Sequence, residues 1–271
     1  LGLGGLENME VYEQPEDKEA EKQAEEKPEV KEETFLFDKS YECPVCYQGF
    51  KAKTVRSGKL RSLGTDRDLR PLYDQMEPLK YDVVICPHCG YAALTRFFGG
   101  LTAGQIKAIK ENISANFHPV KEEKETYTYE EALYRYKLCL ANTIVKHGKV
   151  SEKAYICLKA GWLLRSMGEN LDPAEEDYNK KMQEIKEQEK DFLKNALDGL
   201  ITARQTESYP ICGMDEVTLE YLIAVLAMEF EKYDISSRLI YNILNTPTVN
   251  NRIKDKAREV KDELLQQMGK K

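Results

Sequence analysis

Two short motifs, Cys43-Pro44-Val45-Cys46 and Cys86-Pro87-His88-Cys89-Gly90, constrain this chain more than any other feature. Each is a Cys-x-x-Cys pair with proline after the first cysteine. Two thiolates at this spacing hold one tetrahedral cation from a single tight turn, and a second such turn closes the shell. Four protein ligands leave no position for water or substrate, so the pattern points to a structural centre and not a catalytic one. Zn²⁺ is the first choice of ion. Iron in a rubredoxin-like centre is the alternative, because both metals accept four thiolates. His88 sits inside the second knuckle, points outward by position, and is not counted as a ligand.

The segment around the knuckles is small, and small domains need a metal or disulfides where a core is too thin. Structural zinc supplies on the order of 10–16 kcal/mol in such folds. Order is expected from Phe35-Leu36-Phe37 onward. Gly49 to Arg56 alternates as a strand leaving the first knuckle, Ser57-Gly58 marks a turn, and Tyr81 to Ile85 is the return strand that delivers Cys86. The spacer between Cys46 and Cys86 is 39 residues long. Its stretch Thr65 to Met76 reads as an insertion of one or two helical turns, stopped by Pro71 or Pro78. Within it, Asp66-Arg67-Asp68-Leu69-Arg70 reads as a salt-bridged turn.

Beyond the ribbon the periodicity is helical. Thr102 to Gln105 spells a capping box ahead of Ile106, Ile109, Ile113 and Phe117, a connecting helix that ends before Pro119. Leu133, Tyr136, Leu140 and Ile144 form one helical face ending at Gly148. Ala154, Cys157, Leu158, Gly161, Trp162 and Arg165 form a second, ending at Gly168. Asp172-Pro173 with Glu175 signals the start of a long helix running to Thr206. Its apolar stripe is Tyr178, Met182, Ile185, Phe192, Ala196 and Leu200. Three helices follow, over Asp215–Lys232, Ile235–Leu244 and Val249–Met268. In Glu220 to Pro247, Ala224, Tyr233, Ser236 and Ile240 sit where a tetratricopeptide-type unit places small, turn and packing residues. Glu231 stands where glycine is usual. No clean repeat period emerges, so the array is repeat-like rather than a regular solenoid.

Charge narrows the function classes. Residues 10–33 hold eleven acidic and four basic side chains, a net −7 that equals the net charge of all 271 residues. The acidity belongs to a tail with almost no large apolar side chains, which is expected to be disordered. Leu1 to Leu6 is too short, and lacks the basic region, for a signal core. The longest apolar run, Tyr221 to Met228, is far shorter than the roughly 20 residues a membrane span needs. Seven cysteines, four of them in the knuckles, suit a reducing compartment, and the expected location is cytoplasmic. Cys139 and Cys157 read as core residues, and Cys212 as a packed loop cysteine. The three histidines are scattered, no phosphate loop or nucleophile motif is present, and no catalytic residue is assigned. A basic strip, Lys51, Lys53, Arg56, Lys59 and Arg61, follows the first knuckle. With Arg67 and Arg70 it is a candidate contact for nucleic acid or a partner. Its competing readings are a solvated strand edge, or a strip covered by the acidic tail.

The chain resembles a bacterial domain-of-unknown-function family, number 2225. The resemblance rests on Cys-Pro-Val-Cys with Phe50, on Arg56-Ser57-Gly58-Lys59-Leu60-Arg61, and on Asp66, Asp68, Arg70 and Tyr73. It continues through Tyr81-Asp82-Val83, Cys86-Pro87-His88-Cys89-Gly90-Tyr91-Ala92 and Glu220 to Ala224. It implies a metal ribbon joined to a tetratricopeptide-like tail, and implies no activity. The expected fold is mainly α with a small β zinc ribbon, a four-cysteine N-terminal part followed by a helical array. The expected layout is a tail at 1–34, a metal-binding ribbon at 35–99, a connecting helix at 100–128 and a helical domain at 129–271. The leading functional expectation is a non-catalytic adaptor with a protein partner. The alternatives are a nucleic-acid-binding ribbon protein and an iron redox protein.

Overall fold

The computed structural model describes residues 31–119 and 124–269. The chain divides between Lys31 and Glu32, and everything below concerns the unit that starts at Glu32. Most of the expected acidic tail therefore lies outside the described residues. Glu32–Phe35 forms a 3-10 turn ahead of the first strand.

Three antiparallel hairpins make up the β part: β1 (Leu36–Glu42) with β2 (Gly49–Val55), β3 (Ser62–Thr65) with β4 (Pro71–Tyr73), and β5 (Val83–Ile85) with β6 (Ala92–Leu94). Each knuckle is the turn of its own hairpin. Cys43 N–H donates to the Gln48 carbonyl at 3.0 Å, and Cys86 N–H to the Tyr91 carbonyl at 2.8 Å. The return strand that brings in Cys86 thus pairs with the strand leaving the same knuckle and not with the first hairpin, which corrects the sequence reading. A knuckle turn reverses the chain within a few residues, so the nearest partner is the strand just beyond it.

The spacer is a second correction. Thr65 to Met76 holds no helical turn of its own: it forms the tip of the β3–β4 hairpin and strand β4. Gly64 at φ +110° and Pro71 bracket the tip, leaving too few residues for a helix. Asp66 N–H donates to the Arg70 carbonyl at 2.8 Å, Leu69 takes a left-handed φ of +69°, and the Arg70 guanidinium meets the Asp66 carboxylate at 2.5 Å. The salt-bridged turn forms as expected.

Among the described residues seven α-helices follow: α1 (Ala103–Asn112), α2 (Tyr129–Val145), α3 (Val150–Glu169), α4 (Tyr178–Thr206), α5 (Glu216–Glu229), α6 (Tyr233–Asn245) and α7 (Asn251–Met268). Their ends follow local chemistry. Thr102 with Gln105, and Thr128 with Glu131, form reciprocal capping boxes on α1 and α2. Helix α2 ends in a Schellman motif, with His147 at φ +50° and Gly148 N–H returning to the Thr143 carbonyl at 2.8 Å. Helix α5 ends the same way. There Lys232 N–H reaches the Ala227 carbonyl at 2.7 Å, and Glu231 takes φ +57° at the position glycine ordinarily fills. Two faces shift from expectation. Ile144 points outward, and the buried side of α2 is Ala132, Leu133, Tyr136, Cys139 and Asn142. Helix α4 starts at Tyr178, because Asp172 spends its carboxylate on Ala174 N–H in a local turn instead of capping a helix.

Helices α3 and α4 form the longest packed pair. A side chain at Gly161 would meet Leu193 at 2.6 Å, and one at Gly199 would meet Ala154 at 2.7 Å, so glycine sets how closely the two approach. In the α5–α6 hairpin, Ser236 Oγ donates to the Ala224 carbonyl at 2.7 Å, joining the two small residues singled out in the sequence. The main core is continuous. Leu79, Val83, Ala92 and Leu94 from the ribbon share it with Tyr136, Leu163, Leu197 and Leu222 from the helices. The boundaries near residues 99 and 128 mark changes in secondary structure, while packing runs across them. Among the described residues, no helix is long and apolar enough to cross a membrane.

Candidate metal centre

The four knuckle cysteines converge. Their sulfurs all lie within 4.8 Å of one another, with Cys43 Sγ 3.6 Å from Cys89 Sγ and Cys46 Sγ 3.5 Å from Cys86 Sγ. A regular tetrahedron with metal–sulfur bonds of about 2.3 Å has edges of about 3.8 Å, so the sulfurs stand close to the spacing one cation requires. Cys43 and Cys86 are fully buried, Cys89 nearly so, and Cys46 half-buried. Val45 N–H points at Cys43 Sγ at 3.4 Å, and the N–H groups of His88 and Cys89 favour a thiolate at Cys86. Such donors stabilise sulfur carrying negative charge.

Hydrogen bonds from Cys86, then Cys89, hold the Cys43 thiol far below its ordinary range, and the contact with Cys43 drives Cys89 and Cys86 up. Sulfurs crowded in this way are a ligand set that one proton-displacing cation satisfies. The donor chemistry and the spacing therefore fit a bound metal ion. The other three cysteines differ. Burial raises the Cys139 thiol and pushes Cys157 and Cys212 up to about 11, and all three stand apart from the cluster.

Neighbouring elements fix the knuckles. Tyr41, Phe50, Phe98 and Tyr91 form an aromatic group against the site, with Phe98 5.1 to 6.0 Å from the other three rings. Ile109 of α1 packs into the same cluster. Gly90 follows the second pair at φ +72°, where an added Cβ would lie 2.5 Å from the Phe117 ring. Tyr47 holds the matching place in the first knuckle at φ +61°, without the freedom of glycine. Asn142 of α2, wholly buried, donates to the Gly90 carbonyl at 3.1 Å and so ties the knuckle to the helices. Sequence reasoning passed over Asn142 and Phe98, and it placed Phe117 on the connecting helix, which ends at Asn112 and leaves Phe117 beyond it. The one available signal was a polar residue three places after Cys139 on a buried face.

The candidate contact residues divide into two groups. Lys53 pairs with Asp38 at 3.0 Å, Arg56 lies over Phe37 and donates to the Leu36 carbonyl at 3.1 Å, and Arg61 stands 3.9 Å from Asp74. Lys51 and Lys59 are exposed. Arg67 and Arg70 instead belong to the spacer tip, which docks on the helices. Arg70 is buried and makes a two-pronged bond to Glu169 at 2.7 and 2.9 Å, while Arg67 meets Glu263. Asp68 accepts from Trp162 Nε1 and from Arg165, each at 2.9 Å. Trp162, Arg165 and Glu169 lie on one face of α3, and Tyr221 of α5 donates to the Arg67 carbonyl at 3.0 Å. The alternating charges of the spacer are thus spent inside the molecule.

No curated protein and no solved structure matches the chain. A family model does, over residues 36–264, which takes in both knuckles, the docked spacer, helices α1 to α6 and most of α7. The chain belongs to the family described as "Uncharacterized protein conserved in bacteria (DUF2225)".

Proposed function

We propose that the protein is a non-catalytic adaptor whose four cysteines hold one structural Zn²⁺. The sulfur tetrad carries this reading: two edges of 3.5 and 3.6 Å, burial of three ligands, and a donor count that fills a tetrahedral shell. Zinc bound there would supply cohesion to the ribbon and no reaction. The chain's own part is to orient the four sulfurs through the two hairpin turns, Asn142 and the aromatic group. The α5–α6 hairpin, with Ala224 against Ser236, suits a tetratricopeptide-like surface for a protein partner. The spacer tip covers part of the face where α3, α5 and α7 meet it, and the partner surface we propose is the helical surface outside that contact. Seven unbridged cysteines accord with a reducing, cytoplasmic setting. Elemental analysis and a visible spectrum of the purified protein test the metal: zinc and no colour support the reading. Affinity capture by the intact protein and by Cys43→Ser, compared by mass spectrometry, tests the adaptor role, which fails if no protein is retained by either.

The same tetrad accommodates iron, and a red, visibly absorbing protein would move the assignment to a redox centre. The nucleic-acid alternative rests on Lys51 and Lys59 with help from Arg61, since Lys53 and Arg56 have internal partners. Salt-dependent retention on a nucleic-acid column tests it.

A further inference from the structure

A cavity of about 730 Å³ opens where three loops meet: the segment after β6 around Arg96 to Leu101, the α2–α3 turn, and the α4–α5 loop. None of the four cluster cysteines lines it. Its size is within the range of small-molecule sites. Its lining includes the apolar side chains of Phe97, Leu101 and Ile211.

The charged groups in it are unevenly engaged. Glu207 is satisfied by Ser151, whose N–H and Oγ donate at 2.9 and 2.6 Å, and it caps the first turn of α3, where the N-cap Lys149 offers no side-chain cap. Glu152 is satisfied by Lys146 at 2.6 Å. Both carboxylates are therefore engaged from within, Glu152 by a cation and Glu207 by neutral donors that leave its charge in place. Arg96 gives one hydrogen bond, to the Cys212 carbonyl at 2.5 Å, and among the described residues Lys149 and His147 have no ion-pair partner. The Arg96 guanidinium is held in place by the faces of Phe97 and Tyr155, 5.2 and 5.7 Å away. Gly213, at φ +81°, lies so close that a Cβ there would stand 2.6 Å from Arg96 Nη2. Gly99 and Gly100 have open space where side chains would be, leaving backbone accessible at the mouth. The lining carries Arg96, Lys146 and Lys149 against Glu152 and Glu207, one positive charge in excess, and the oriented Arg96 guanidinium keeps spare donors.

We propose that this cavity binds a small organic phosphate, with the phosphoryl group on Arg96 and Lys149 and the organic body against Phe97 and Leu101. A planar guanidinium with free donors matches a phosphate in two-pronged fashion, and two cations match a phosphate ester near −2 better than a single carboxylate. The test is calorimetric titration of the full, metal-loaded chain with ADP and glucose 6-phosphate, each beside its parent, adenosine or glucose. At least one phosphate is expected to bind and its parent not. Arg96→Ala and Lys149→Ala, both at exposed positions, are expected to weaken binding about tenfold or more. Lys180→Ala, at an exposed position on α4 outside the cavity, is expected to leave it unchanged. The proposal fails if neither phosphate binds, if parent and phosphate bind alike, if both cavity variants bind as wild type does, or if Lys180→Ala weakens binding as much as they do.

Discussion

Replacing Asp68 with alanine tests how the spacer is held. Asp68 is 3% exposed and accepts two hydrogen bonds of 2.9 Å, one from the Trp162 indole and one from Arg165. Its removal leaves the buried indole N–H without an acceptor, a loss of about 1–3 kcal/mol. Arg165 keeps Glu189 at 2.7 Å and Asp66 at 3.6 Å, so its share is about 1 kcal/mol, well below the cost of leaving a buried charge wholly unpaired. The sum is about 3 kcal/mol, which lowers Tm by about 6–12 °C in a unit of this size. Asp68→Asn keeps an acceptor for the indole and loses only the charge, so about 1 kcal/mol is expected. Thermal unfolding followed by far-UV circular dichroism and by the fluorescence of Trp162, the only tryptophan, reads both variants. If Asp68→Ala lies within about 0.5 kcal/mol of wild type, the spacer tip is not anchored as described.

Four further outcomes follow from particular contacts. Gly90→Ala forces a left-handed residue against the Phe117 ring and is expected to cost about 1–3 kcal/mol or more in a denaturant titration. Glu231→Gly relieves a left-handed non-glycine residue at the end of α5 and is expected to stabilise by up to about 1 kcal/mol, read as a rise in Tm. Asp215 caps α5 through Thr218 N–H at 2.8 Å, and hydrogen bonds from the Thr218 side chain and then its N–H lower the carboxyl in the folded state. A depressed folded pKa stabilises above the unfolded value and is lost as pH falls through the folded one. Asp215→Ala should therefore cost about 1 kcal/mol at neutral pH and progressively less below about pH 4, measured by urea titration at each pH. Chelation is expected to remove hydrogen-exchange protection from Leu36 to Val55 first, while α3 and α4 amides stay protected. The first hairpin packs chiefly in the small clusters around the cysteines and Tyr81, whereas the helices share the large core.

The four-cysteine cluster was legible because its chemistry is local. Two Cys-x-x-Cys turns announce their ligands whatever surrounds them, and the fold brings all four sulfurs together. Helix existence was legible for a related reason: caps at Thr102 and Asp215 and periodic apolar faces act within a turn or two. Partnership over distance was hidden. Nothing near Asp68 in the chain says that it meets Trp162, 94 residues away. The return strand's choice of partner depended on the knuckle closing its own hairpin, a matter of turn geometry. The false start at Asp172 shows a local signal overruled: the same carboxylate that can cap a helix instead closed a turn within two residues. Asn142 was hidden for the opposite reason, since a lone polar residue on an apolar face declares its burial but not its acceptor.

X-ray absorption at the zinc edge of the purified full chain tests the central claim most directly. The account predicts one zinc per chain, with a first shell of four sulfurs at about 2.3 Å. A protein without stoichiometric metal, or a shell containing nitrogen or oxygen in place of one of the cysteine sulfurs, would contradict it.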